Sequence, residues 1–438
     1  MAISGLSVIA IPDESSIIET GIPLLEICDA ILYPSVLRPY TATFNELALT
    51  GISNPYQHIF VPAPKLIWLK KSFFHESAYT WCVRIWFDVL TPKQVMFFKH
   101  SIGLLKEKDH ELLCTGRNYR ECVMLSKLKK LDLKIVGKFG GSSKYDKLRA
   151  SSSRIFDLAR EINDFEPELC VSFSSPEAAR VAFGLGIPHI TFSDSPHARA
   201  VQRLTIPFVD YLLCPWIIPY SAWKNMGISK NQIIRYRALD PVAWIRDETK
   251  TKVNEKELKS KYRLSKNNTI VLRPEESKAS YLIDKHSNVD RILGSIVENF
   301  HNTSNILVLG RYEDQINHLR EKYGDRITVL ENVVDGLELI SLADVFVGGG
   351  GTMTAESALL GKPTISISPI KFYVDDYLVK MGLIRKIANT SHIVKILDKM
   401  QFDNKFKVGQ KIRAKRILNQ MEDPADKLMK IIDRFVAL

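Results

Sequence analysis

From about residue 83 onward, short apolar runs alternate with stretches whose apolar residues recur every three or four positions. The first kind predicts strands buried on both faces. The second predicts helices laid against them. The strand-like runs fall at 83–90, 111–115, 134–137, 168–173, 189–194, 211–215 and 233–237. Thr91 and Pro92 open a helix that runs to about Lys106, and a second lies near 120–131. A Gly-Gly-Ser-Ser loop at 140–143 leads into a basic helix ending near Asn163, and Ser175-Pro-Glu-Ala-Ala starts another. Residues 246–267 hold eight Lys/Arg and four Asp/Glu with little apolar content, so they predict a linker with a short polar helix. A second alternating unit follows, with strands at 269–273, 305–310, 326–330, 344–348 and 363–368. Its helices are expected near 286–300, 313–323, 335–342 and 353–360, and the tail from Phe372 reads as helical.

This βαβα repetition predicts two doubly wound parallel sheets in tandem. The expected division is 83–245 for the first domain and 246–267 for the linker. The second domain is expected at 268–371, with 372–438 as helices that cross back to the first. Ligands bind outside the carboxyl ends of such strands, so a cleft between the two sheets is the expected site. Residues 1–82 stand apart. They echo 190–250: Asp13, Asp29 and Pro34 match Asp194, Asp210 and Pro215 at one offset. Gly51-Ile52-Ser53 and Trp68 then match Gly227-Ile228-Ser229 and Trp244 at another. A partial repeat without its first strands predicts an accessory segment that makes no ligand contact.

Charge sharpens this picture. The net charge is +11, yet residues 1–82 carry four Lys/Arg against seven Asp/Glu. The body is therefore strongly basic, which suits an anionic ligand or surface. No zinc finger, RNA-recognition signature or basic heptad array is present, so nucleic acid is not the expected partner. The six cysteines are scattered without a CxxC or paired-His spacing, and read as reduced core thiols. No apolar run reaches the roughly 18 residues of a spanning helix, and the N-terminus carries no signal-like pattern. A cytoplasmic location is expected.

The stretch from Val345 to Ser368 carries the clearest chemistry. A buried strand runs into Gly348, Gly349, Gly350 and Gly351, then Thr352, Met353 and Thr354 open a helix. Glycines let the backbone approach a ligand and expose amide N–H groups, and a helix N-terminus favours phosphate. Thr352 or Thr354 is the expected cap. Glu356, one turn in, would repel phosphate if it faced the same way, so it is expected to reach hydroxyls such as a ribose diol. In the first domain Asp88 and Asp194 end strands beside the expected cleft and are the candidate general bases, with His197 as partner to Asp194. Thr91 and Lys93 follow Asp88, and Ser174 and Ser175 follow another strand. All four are candidate substrate contacts, although Ser175 before Pro176 also fits an ordinary helix cap.

The motif Gly348-Gly-Gly-Gly-Thr with Glu356 and Gly361-Lys-Pro resembles the nucleotide-sugar motif in the second domain of GT-B glycosyltransferases. Relatives of it occur in the peptidoglycan N-acetylglucosaminyltransferase and the UDP-GlcNAc 2-epimerases. Ile85-Trp-Phe-Asp-Val-Leu-Thr-Pro-Lys, Ser174-Ser-Pro-Glu-Ala-Ala-Arg, Phe192-Ser-Asp-Ser-Pro-His-Ala and Val347-Gly-Gly-Gly-Gly-Thr-Met together resemble domain of unknown function 354, a largely archaeal family. The resemblance implies a GT-B-like fold over 83–438 and a nucleotide-sugar cleft. It implies that Gly349 to Thr352 hold the diphosphate, Glu356 the ribose, and Arg273 the donor phosphates. Sugar transfer without a metal or other cofactor is the expected activity. Should a metal be needed, Asp375 and Asp376 are the first candidates. An epimerase using Arg273, Glu275, Glu276 and Asp194 is the alternative, and a non-catalytic nucleotide-sugar or polyanion binder is another. The nucleotide base, sugar and acceptor are not specified. A lipid-linked acceptor at the inner face of a membrane and self-association into a homo-oligomer are compatible with the sequence.

Overall fold

The computed structural model describes residues 82–141, 143–248, 254–275, 289–310, 312–331, 333–387 and 392–437. The expected accessory repeat at 1–82 lies outside these apart from Cys82, as does Glu276. The first sheet is built from β1 (Arg84–Asp88), β2 (Glu111–Asn118), β3 (Lys134–Lys138), β4 (Leu169–Phe173), β5 (His189–Phe192), β6 (Tyr211–Pro215) and β7 (Ile233–Tyr236). Its strand order is β3-β2-β1-β4-β5-β6-β7, and every pair is parallel. The helices between them are α1 (Pro92–Glu107), α2 (Arg120–Leu128), α3 (Lys144–Phe165), α4 (Pro176–Leu185), α5 (Arg199–Arg203) and, after β7, α6 (Val242–Glu248). α3 and α4 cover one face, where Trp86, Leu158, Ile162, Ala178 and Ala182 form a dry layer. α1 and α6 cover the other, against Ile85, Phe87, Val171 and Phe192. Strands buried on both faces have no polar side to show, which is why they read as unbroken apolar runs.

After α7 (Glu255–Lys261) comes the second sheet. Its strands are β8 (Asn268–Arg273), β9 (Ser304–Leu309), β10 (Thr328–Leu330), β11 (Val345–Gly348), β12 (Thr364–Ser366) and β13 (Ile384–Lys386). The order is β10-β9-β8-β11-β12-β13, again all parallel. Between them lie α8 (Val289–Phe300), α9 (Glu313–Tyr323), α10 (Gly336–Leu342), α11 (Thr352–Leu359) and α12 (Tyr373–Lys380). The chain ends in α13 (Ile393–Phe402), α14 (Asn404–Leu418) and α15 (Pro424–Ala437). Both sheets thus reverse strand order once, at β1/β4 and at β8/β11. These are the switch points where a doubly wound sheet opens a crevice.

β13 corrects the expectation of a wholly helical tail. It is a three-residue strand with one buried side chain, Ile384, too short to carry a period-two signal. α15 leaves the second domain and packs on α1 and α6 of the first. Leu428, Met429 and Ile432 there share one apolar core with Val95 and Phe98 of α1 and with Ala355, Ala358 and Leu359 of α11. Cys114, Cys122, Cys170 and Cys214 are buried free thiols, and Cys82 is exposed. Among the described residues no helix is long and apolar enough to cross a membrane.

Candidate functional site

The carboxyl ends of the two sheets face a cleft of about 1050 Å³. Its second-domain wall is the loop from β11 into α11. Each glycine of that loop has a different local reason. A side chain at Gly348 would strike Thr354 Oγ1, and one at Gly349 would strike the backbone of Glu275 in the loop after β8. Gly350 and Gly351 have φ of 91° and 81°, a region that favours glycine. Only Gly351 has open space where a Cβ would stand. Gly349, Gly350, Gly351 and Thr352 line the cleft, whereas Gly348 ends β11 beneath it.

Two expectations about this loop are corrected. The cap of α11 is Gly351 and makes no side-chain cap bond, so neither Thr352 nor Thr354 caps the helix. Thr354 is buried under the loop and does not line the cleft, because position three of the helix turns it inward toward β11. Thr352, one position after the cap, is half-buried at the cleft wall.

Glu356 lines the cleft although its side chain is almost wholly buried. Its Oε1 accepts a hydrogen bond from Trp244 Nε1 at 2.8 Å, which ties α11 to α6 of the first domain. Burial lifts its carboxyl to about 7, although the indole N–H works the other way. The unfolded chain releases this proton near the ordinary 4.5, so the native state loses stability as pH rises from there to about 7. Glu356→Gln removes that titration. The variant should gain stability relative to the parent across this window, by at most ~3 kcal/mol above it. Urea unfolding at both ends of the window measures this, and a difference that does not change with pH refutes the buried-carboxyl account. Arg273, at the end of β8, also lines the cleft. Its Nη1 donates to the carbonyls of Leu309 and Gly310 at 2.8 and 2.9 Å, bracing the end of β9.

The first-domain wall is organised by three strand ends. Lys93, in the first turn of α1, stands 2.6 Å from Asp194 Oδ2 after β5 and 2.6 Å from Asp240 Oδ2 after β7. All three line the cleft, and the Lys93 ammonium also sits 4.3 Å from the Phe173 ring centre. Burial works against the charge of Lys93, but the two carboxylates outweigh it and hold the ammonium above its usual range. Burial likewise opposes the charge of Asp194, but Lys93 and the Ser195 hydroxyl, which donates to Oδ1 at 2.7 Å, hold it low. Asp240 behaves differently. Burial, helped by the charge of Asp194, lifts it to about 6 despite Lys93. Tyr236 donates its hydroxyl to the other Asp240 oxygen. His197 lines the same wall with its ring 4.7 Å from that of Phe372 in the second domain, and burial lowers its pKa.

Asp88 is not at the wall. It is fully buried, and its oxygens are spoken for: Arg154 donates from Nη2 at 2.6 Å and from Nη1 at 3.1 Å, Thr115 from Oγ1 at 2.7 Å and Ser175 from Oγ at 2.6 Å. Burial opposes its charge, but Arg154 and the two hydroxyls outweigh it and keep the carboxyl low. A carboxylate so enclosed, away from the cleft lining, has no access to an acceptor, so the expected base role does not fit its placement. Ser175 is correspondingly buried, capping α4 and bonding Asp88, and does not line the cleft. Ser174 does, at φ 50°, with its hydroxyl donating to Phe192 O at 3.1 Å. Thr91 lines the cleft at the start of α1. Asp375 lines the cleft but is buried under Ser366, while Asp376 is exposed on the other side of α12. Among the described residues no three His, Cys, Asp or Glu converge on a metal-sized site.

The sequence pattern did not single out Asp240 or Arg117, and it gave Trp244 only as a member of the repeat, yet all three line the cleft. Asp240 carries a readable signal. It precedes Pro241 just after a strand, as Asp194 precedes Ser195-Pro196, and such X-Pro positions mark strand-to-helix corners at the sheet edge.

Comparison with known proteins agrees with this architecture. A Methanocaldococcus jannaschii protein described as uncharacterized is 30% identical over 347 residues, 78% of this chain and 95% of its own length. The UDP-GlcNAc 2-epimerase of Neisseria meningitidis, solved with UDP-GlcNAc bound, superposes with a TM-score of 0.63 at 13% identity, over 80% of this chain and 100% of that one. The spinosyn forosaminyltransferase SpnP gives 0.54 at 15%, over 81% of this chain and 100% of that one. At these identities the two structures show a shared fold, the two-domain GT-B arrangement. The family model described as protein of unknown function (DUF354) matches residues 83–436, and the chain belongs to that family.

Proposed function

We propose that the cleft binds a nucleoside diphosphate sugar and that the protein transfers the sugar to an acceptor held by the first domain. The observation that carries this is the loop from Gly349 to Thr352, whose open glycine and helix N-terminus face the Lys93, Asp194 and Asp240 cluster across one cleft. Backbone amides at a helix N-terminus suit a diphosphate. Glu356 beside them suits the ribose hydroxyls, and Arg273 adds a cation at the β8 end. In the transfer, an acceptor oxygen bonds to the anomeric carbon and the bond from that carbon to the diphosphate oxygen breaks. The acceptor proton passes to Asp194, which is the more exposed of the two carboxylates at 21% against 2%. Lys93 orients Asp194, and Asp240, with its carboxyl near 6, completes the charge balance. The leaving diphosphate stays on the amides, which is how an electrostatic site replaces a metal.

One observation favours an epimerase as second reading. Glu275 lines the cleft with a buried Oε2 that has no hydrogen-bond partner among the described residues, beside Gly349. A second acid on that side is what proton exchange at a sugar carbon needs. Incubation with UDP-sugars separates the readings. Acceptor-dependent release of UDP that persists in EDTA is expected. Epimerised sugar without an acceptor overturns transfer in favour of epimerisation, and binding without either product leaves a binding protein.

A further inference from the structure

The first-domain half of the cleft holds a second cluster, away from Lys93. Arg117 near the end of β2, Lys138 at the end of β3, and Lys144 and Lys147 in the first turn of α3 all line it. The Arg117 guanidinium lies 5.0 Å over the Phe139 ring, which in turn packs 4.9 Å from Tyr119. Its Nε is buried without a hydrogen-bond partner among the described residues. A buried donor left unmet costs free energy that a bound acceptor would restore. None of the four cations is in an ion pair among the described residues. The nearby carboxylates are mostly engaged elsewhere. Asp335 on the facing wall is paired with Lys129 at 2.6 Å, and Glu331 with Arg320. Glu177 stands 3.9 Å from Arg154, with its Oε2 buried without a hydrogen-bond partner among the described residues and its charge acting on Arg117, and Glu121 lines this side in no ion pair among the described residues.

We propose that this cluster is a second anion subsite, which binds the acceptor through a phosphate group. The inference rests on the two-substrate reading above and specifies the acceptor's chemistry. One guanidinium and three ammonium groups supply more donors and charge than a single carboxylate can use, whereas a tetrahedral dianion can accept from all of them. The glycine loop is a separate anion site on the opposite wall, so the two phosphates bind at once. Outward from the cluster, α3 carries Tyr145 and Leu148 at 71% and 67% exposed. The phosphate can therefore arrive on a soluble molecule or on a lipid headgroup, and the experiment distinguishes them.

The full chain, saturated with UDP, is titrated with glycerol 3-phosphate by calorimetry. It is also floated with phosphatidylcholine vesicles with and without phosphatidic acid, which carries the same phosphomonoester on a lipid. The double variant Lys144→Gln/Lys147→Gln is compared throughout, since Lys144 is exposed and Lys147 half-buried at the cleft, and glutamine keeps most of each side chain's length. Its affinity for the phosphomonoester should fall by about tenfold or more, with UDP affinity unchanged. Binding to glycerol 3-phosphate alone assigns a soluble acceptor. Binding to phosphatidic acid vesicles that is lost in Tyr145→Ser/Leu148→Ser assigns a lipid one. If wild type binds neither probe, or the double variant binds as wild type does, the subsite does not exist. If UDP fails to bind but the phosphomonoester still depends on Lys144 and Lys147, the donor reading fails and the subsite stands.

Discussion

Arg154→Met should lower the free energy of unfolding by about 3–5 kcal/mol at neutral pH, the scale on which breaking a buried ion pair is felt. Arg154 is 1% exposed, holds Asp88 through two guanidinium nitrogens, and donates Nε to the carbonyl of Val136 at 2.9 Å. Methionine fills much of the volume but supplies no charge. Asp88 would then keep only the hydroxyls of Thr115 and Ser175, and the Val136 carbonyl would lose its partner. The pH dependence follows from the sign of the shift. Asp88 is held below its usual value, so the pair stabilises the fold above the unfolded carboxyl's range and stops doing so as acid protonates it. The deficit of the variant should therefore shrink in acid. The double variant Asp88→Asn/Arg154→Met should recover part of the loss, because no charge is left stranded. Urea unfolding of the three proteins decides this, and a double variant no better than Arg154→Met removes the stranded-charge explanation.

Thr352→Glu should abolish binding of UDP and UDP-sugars while leaving the fold intact. The side chain is half-buried at the first position of α11, on the cleft wall. An acid there favours the helix by ~0.3–1 kcal/mol, so the melting temperature should hold or rise. Against a diphosphate about 4 Å away, the same charge costs ~4 kcal/mol at an effective dielectric of 20, roughly a thousandfold in affinity. Gly350 is the less informative place to probe, since a side chain there meets Phe372 and Ser368 at a φ of 91°, so loss of binding would be mixed with strain. Calorimetry with UDP checks the outcome. Retained affinity in a folded Thr352→Glu protein means the glycine loop does not hold the diphosphate.

Which parts of this were legible in the chain follows from the range of the forces involved. Ile270 to Leu272 and Val345 to Val347 are buried on both faces, and that local fact alone announces a covered parallel strand. Both sheets apart from the three-residue β13, and their order of appearance, are readable for this reason. The glycine loop was readable too, because its backbone demands are local. Asp88 was misplaced because its partner lies 66 residues away, inside a helix whose other basic residues are solvated. Nothing local distinguishes Arg154 from Arg149 or Arg160. Glu356 was expected to turn away from phosphate, but its contact to Trp244 spans 112 residues and joins two domains. The Lys93, Asp194 and Asp240 cluster gathers three strand ends, so only one of its carboxylates was recognised beforehand. Local pattern fixes elements, whereas charge pairing is decided by topology.

The return of α15 to the first domain has a mechanical consequence. The chain passes between the two sheets twice, once between β7 and β8 and again at 419–423, where Glu422 N–H donates to the Arg237 carbonyl at 3.1 Å and Arg246 donates to the carbonyl of Leu418 at 3.0 Å. Two rigid bodies joined by one tether can tumble freely, whereas joined by two they keep a single easy degree of freedom, rotation about the line through both tethers. Any swing that widened the cleft would turn about that axis, and it would work against the apolar core that α15 shares with α1 and α11.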